Sequence, residues 1–149
     1  MKQVKIYTYS GIKGLKPQDG AAGYLLETDT PAGVKTLHKV LKIQNATANQ
    51  SELVVLIEAL KRMREACELT IFTESEYVAA GYRNGWVDMW LKSGWLTARG
   101  KEVANRAEWQ ELDELLSCHE FSFEVAKEHE YRVWLKSEVN TAKENDRYV

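Results

Sequence analysis

The sequence predicts an α/β protein with a mixed five-stranded sheet, in the order β-β-β-α-β-α-β-α and with helices on both faces. Three observations carry that expectation. Residues 2–9, "KQVKIYTY", alternate with a period of two. From Asn49 the residues Leu53, Leu56, Ile57, Leu60 and Met63 recur at helical spacing. The later β-rich runs, "ELTIFT" and "EFSFEVA", are separated by helical stretches, as crossovers between parallel strands require.

The first strand sets Val4, Ile6 and Thr8 on one face and Lys5, Tyr7 and Tyr9 on the other. It ends in a Gly-containing loop, "SGIKGLKPQDG". "AAGYLLET" and "VKTLHKVLKI" read as two further strands joined by the turn "DTPAG", which gives an antiparallel start. Asn49, with Glu52 three residues on, resembles a capping box, which places Glu52 in the first turn of the next helix. After the strand "ELTIFT" come two short helices, "SEYVAAGYRN" and "WVDMWLKSG". A longer helix, "NRAEWQELDELLSCH", lines up Trp109, Leu112, Leu115 and Leu116. "EFSFEVA" is the last strand, and a helix from about Tyr131 to Glu144 closes the chain. No internal repeat or linker stands out, so residues 1–149 are expected to form one domain.

The apolar fraction of 44% and charged fraction of 28% are those of a soluble globular protein, and no run is long enough to span a bilayer. "MKQVKIYTY" reads as a strand and lacks the apolar core of a secretory signal, so a cytoplasmic location without a membrane partner is expected. Cys67 and Cys118 have no CxxC spacing and read as buried free thiols. The net charge of -2 does not mark a nucleic-acid binder. It is uneven, however: residues 1–50 hold seven Lys/Arg against three Asp/Glu, and residues 101–149 hold seven against twelve. A local basic surface on the N-terminal half stays open.

Four segments resemble type 1 ribonuclease H, the family that cuts the RNA strand of RNA/DNA hybrids. "VKIYTYSG", followed by "AAGYLLET", is similar to the family's strand ending T-D-G-S and its G-G-Y-G-x-x-L. "ATANQSELVVLIEAL" is similar to its T-N-N-R-x-E-L helix start, and "TIFTESEYV" to its strand ending T-D-S-x-Y-V. The most specific match is "GWVDMWLKSGWLTARGKEVANRAEWQEL", in which Trp90, Gly94, Trp95, Thr97, Val103, Asn105, Trp109 and Leu112 keep the spacing of the family's handle and following helix. The resemblance covers nearly the whole chain and implies a ribonuclease H-like fold.

It also implies a site of four carboxylates holding two Mg²⁺ (or Mn²⁺) ions, which activate a water and stabilise the leaving oxygen. By register Glu52 matches the helix Glu, Glu74 stands where the family has Asp, and Glu138 in "KSEVNTAK" matches the terminal-helix acid. These three are the expected metal ligands and catalytic carboxylates. Read on its residues alone, Glu52 also suits the helix dipole, and Glu74 and Glu76 suit the start of the following helix. Tyr9 occupies the place of the first-strand Asp, and a neutral phenol cannot stand in for a bridging carboxylate. Asp19 lies too far along the loop to replace it. His129 aligns with the loop histidine associated with product release, but Glu128 stands where the family has Gly; an ordinary surface histidine is the alternative.

For hybrid binding, the resemblance implies Asn49, Trp90, Lys92, Trp95, Thr97, Lys101 and Asn105. The handle keeps only Lys92, Arg99 and Lys101 across residues 91–104, which forecasts weak binding. The spacing of Trp86, Trp90 and Trp95 reads first as core packing, with base stacking as the other use. The first expectation is therefore a ribonuclease H-like protein that binds RNA/DNA hybrid or structured nucleic acid, with Mg²⁺-dependent cleavage weak or lost. An active hybrid-specific endoribonuclease with a non-standard metal site is a second reading, and a protein-interaction scaffold a third. The sequence does not fix whether the protein is a monomer.

Overall fold

The computed structural model describes residues 1–145. Five strands, β1 (Lys2–Ser10), β2 (Gln18–Thr30), β3 (Gly33–Ala46), β4 (Cys67–Thr73) and β5 (Glu120–Val125), form one sheet in the order β3-β2-β1-β4-β5. The first three strands pair antiparallel, and β1–β4 and β4–β5 pair parallel, as the sequence pattern predicts. Helix α1 (Ala48–Leu60) precedes β4; α2 (Glu76–Arg83), α3 (Trp86–Ser93) and α4 (Arg106–Leu116) cross from β4 to β5; α5 (Arg132–Asn145) follows β5.

Alternation along the strands builds two cores. Val4, Ile6, Tyr24, Leu69 and Ile71 pack under α1 to α4. Tyr7, Tyr9, Ala21 and Leu25 pack on the other face against Leu135 and Val139 of α5. Glycines let α5 come close: a Cβ at Gly23 would lie 3.0 Å from Leu135 and 3.1 Å from Val139. The Tyr131 hydroxyl ties the start of this helix to Glu27 on β2.

Three local expectations change. The start of α1 is capped by Thr47, whose hydroxyl accepts from the Gln50 N–H at 3.2 Å, so the Asn49–Glu52 capping box does not form. Glu52 then falls beyond the first turn and has no capping role. Cys118 is exposed, whereas Cys67 is buried as expected; both are free. Finally, β2 and β3 run several residues past the expected hairpin, which leaves β3 as a long edge strand with Lys35, Lys39 and Lys42 exposed along it. Among the described residues, no helix is long and apolar enough to cross a membrane.

Candidate active site at the strand ends

Because β1 and β4 are parallel neighbours at the centre of the sheet, in register through Tyr7 and Phe72, their C-terminal ends emerge side by side. Tyr9 and Glu74 lie at those ends, where ligands gather in open α/β sheets. Helix α1 is locked alongside by two hydroxyls. Ser51 donates to the Ala48 carbonyl at 2.7 Å, so the 2.6 Å bond to Ser10 takes its proton from Ser10, which itself accepts from the Ile12 N–H.

That lock fixes the neighbouring Glu52. Part of its stem reaches the surface, but its Oε2 is enclosed and finds no hydrogen-bond partner. Burial pushes the carboxyl up to about 7; the Glu74 charge adds to the rise, and Lys13 opposes it. Such a carboxyl is half protonated near neutrality.

Glu74 has no part in starting α2, which Ser75 caps by accepting from the Val78 N–H at 3.2 Å. Its carboxylate turns across the sheet to Arg132, the first residue of α5, with Oε1 3.2 Å from Nη2. The two side chains are only 16% and 21% exposed, so solvent screens this pair less than a surface one. The Arg132 guanidinium also lies 5.8 Å from the centre of the Tyr9 ring, and Lys13 Nζ lies 4.8 Å from the same ring. Lys13 is held there by donating to the Ser10 carbonyl at 2.9 Å. Two cations therefore bracket one phenol. Burial, and then Glu74, raise the Tyr9 pKa, so the ring stays uncharged.

This geometry does not fit a pair of divalent ions. Mg²⁺ needs several hard oxygen ligands in near-octahedral array. Here one carboxylate already answers a guanidinium, the other is enclosed and partly protonated, and a neutral phenol occupies the end of β1. Glu138 does not complete the expected set. It sits half-buried on α5, at the edge of the stripe defined by the buried Leu135 and Val139. Among the described residues, no three His, Cys, Asp or Glu side chains come together as a metal-holding group. Asp19 is engaged elsewhere, accepting from the Asn45 N–H at 2.9 Å.

His129 is built into the α5 face of the sheet. Its ring lies 4.6 Å from that of Tyr7 and 6.4 Å from that of Phe72, and its Nδ1 accepts from the Tyr131 N–H at 3.2 Å. Burial lowers its pKa, which keeps it neutral at pH 7. It is therefore a half-buried histidine of the loop between β5 and α5, packed on the sheet rather than free at the surface.

The residues expected to grip nucleic acid divide into two groups. Trp95 is buried, and Trp90 lies 6.0 Å from it and 5.3 Å from Trp109, so these rings root the handle in the core. Asn105 belongs to the same root: its Nδ2 donates to the Tyr77 hydroxyl at 3.2 Å, which also accepts from Trp109 Nε1 at 2.9 Å. Lys92, Thr97 and Lys101 are exposed, with Thr97 closing a turn onto Lys101. Asn49 and Asn105 line one surface pocket of about 400 Å³, together with Gly14, Leu15 and Tyr77.

The model of the family described as RNase H matches residues 1–144. The chain belongs to the ribonuclease H family. It is 37% identical to the ribonuclease H of Acetivibrio thermocellus, across 87% of this chain and 84% of that protein. The ribonuclease H of Caldicellulosiruptor saccharolyticus is also 37% identical, across 87% and 86%. Among solved structures, LC9-RNase H1, a type 1 RNase H with the type 2 active-site motif, superposes with a TM-score of 0.78 at 22% identity. That match covers 97% of this chain and 74% of the other. A foamy viral protease-reverse transcriptase, solved in complex with RNA/DNA hybrid, matches with a TM-score of 0.71 at 13% identity over 95% of this chain and 20% of that one.

Within this ribonuclease H fold, sequence reasoning missed Lys13 and Arg132. Arg132 carried a usable signal. It stands three and seven residues before Leu135 and Val139, at the head of the stripe that α5 buries, and so was due to reach the sheet. Lys13 carried none, since it comes from an irregular loop.

Proposed function

We propose that the protein binds RNA/DNA hybrid or similarly structured nucleic acid and has weak or no Mg²⁺-dependent cleavage of the RNA strand. The observation that carries this reading is the Arg132–Glu74 ion pair beside Tyr9, at the strand ends where the family's ions are expected. Retained binding is supported by family membership, by the pocket shared by Asn49 and Asn105, and by the exposed Lys92 and Lys101. The thinned handle points to a low affinity with a shallow salt dependence, because each missing phosphate contact removes about 0.9 from the slope of log affinity against log salt.

The test is incubation with an end-labelled RNA/DNA hybrid in Mg²⁺ and, separately, in Mn²⁺. The expected result is a shifted complex and no product above background. Metal-dependent cleavage that disappears in Glu52→Gln would overturn the reading. Tyr9→Asp separates it from an active nuclease missing one ligand. With Lys13 and Arg132 in place, the new carboxylate is expected to pair with them, adding neither cleavage nor saturable Mn²⁺ binding in a paramagnetic titration. A gain in both would favour the active enzyme.

A further inference from the structure

We infer that Lys13 and Arg132 form a metal-free phosphate site, at which backbone phosphates of the bound nucleic acid contact the two cations directly. The inference rests on the nucleic-acid reading above and adds the chemistry by which the strand ends take part in it.

Charge is the first support. Around Tyr9 stand two cations, the Glu74 carboxylate paired with Arg132, and Glu52, which is half protonated near neutrality, so the cluster keeps a small positive balance for an anion. The donor inventory is the second. A guanidinium has five N–H donors in a planar fork suited to phosphate oxygens. Glu74 engages Arg132 through Nη2, which leaves other terminal N–H donors of the fork for a phosphate, while the enclosed Nε is not one of them. Access is the third: Lys13 is exposed and Arg132 is 21% exposed at its side chain. Arg132 also opens α5, a helix of 14 residues, where the helix dipole adds positive potential.

The arrangement gives Tyr9 a role. A carboxylate at that position would repel a phosphate unless metal ions stood between them, whereas the neutral ring holds both cations by its face and repels nothing. The replacement and the two cations thus form one device: fixed side-chain charges take over the contact that mobile divalent ions would otherwise make.

The test measures fluorescence anisotropy of a labelled RNA/DNA hybrid across a salt series, with excess EDTA or with Mg²⁺. The parent is expected to bind in EDTA at least as tightly as in Mg²⁺, which competes for the same phosphates. Lys13→Gln and Arg132→Gln are each expected to reduce the slope of log affinity against log salt by about 0.9, the value for one lost phosphate contact on a duplex. Arg132→Lys, which keeps the charge, is expected to keep the slope, as is Lys35→Gln at the far end of the hairpin. Lys13 is exposed, so its variant carries the test even if Arg132→Gln folds poorly. Binding that requires Mg²⁺, or a slope indifferent to both positions, would overturn the inference and leave hybrid binding standing. Failure of the parent to bind hybrid at low salt would remove the function itself.

Discussion

Glu52→Gln is expected to make the protein more stable above neutral pH, by about 3 kcal/mol. The folded carboxyl holds its proton up to about pH 7, against 4.5 for an ordinary glutamate, so folding favours the protonated form. The stability this supplies is fully present below pH 4.5 and is lost as pH rises through about 7. In the glutamine variant that loss is absent, because nothing titrates. Urea denaturation of parent and variant across pH reads the effect directly as a gap that opens between those two values. Parallel curves would mean that the carboxyl is solvated in the folded protein. A gap of that size is a large part of the stability of an ordinary domain. A costly buried acid at a strand-end site of a ribonuclease H fold is how stability is commonly given up at functional positions.

Trp109→Ala is expected to cost about 3 to 5 kcal/mol, the range for deleting a large buried aromatic. Trp109 is fully buried, and its ring meets those of Trp90, Tyr77 and Tyr82. Its indole N–H also supplies one of the two donors to the Tyr77 hydroxyl, so truncation removes packing and a hydrogen bond together. Chemical denaturation gives the loss in unfolding free energy, and a loss below about 1 kcal/mol would show that the cluster repacks. Gly81→Ala approaches the same contact from the other side. Its Cβ would fall 2.3 Å from the Trp109 ring, so the ring or helix α2 must move. Both changes loosen the seat of the handle, and with it Asn105.

What the sequence made legible follows from periodicity and local motif. The alternation of β1, the stripe of α1 and the unbroken handle spacing from Trp90 to Leu112 identified the elements, their order and the family. Tyr9 could be placed at the strand end because a register is local. The ion pair that fills the site could not, since Arg132 and Glu74 are 58 residues apart and meet only once α5 lies across the sheet. Glu138 was chosen as a ligand by motif register, whereas the seating of α5 on Gly11 and Gly23 decides which of its side chains reach the strand ends. The cap at Thr47 was missed for a simpler reason: two polar residues with capping ability, Thr47 and Asn49, stand two apart, and only backbone geometry chooses between them.

The exposed lysines of β3 bear on a hazard of the fold unrelated to its site. A 14-residue edge strand is an open template onto which a second molecule could add a strand, with neighbouring backbones about 4.8 Å apart. Lys35 and Lys39 stand on that margin, so a second copy docking its own β3 there, antiparallel and centred on Leu37, would bring its ammonium groups up against them. Like-charge repulsion therefore weighs against polymerisation of the hairpin edge onto itself.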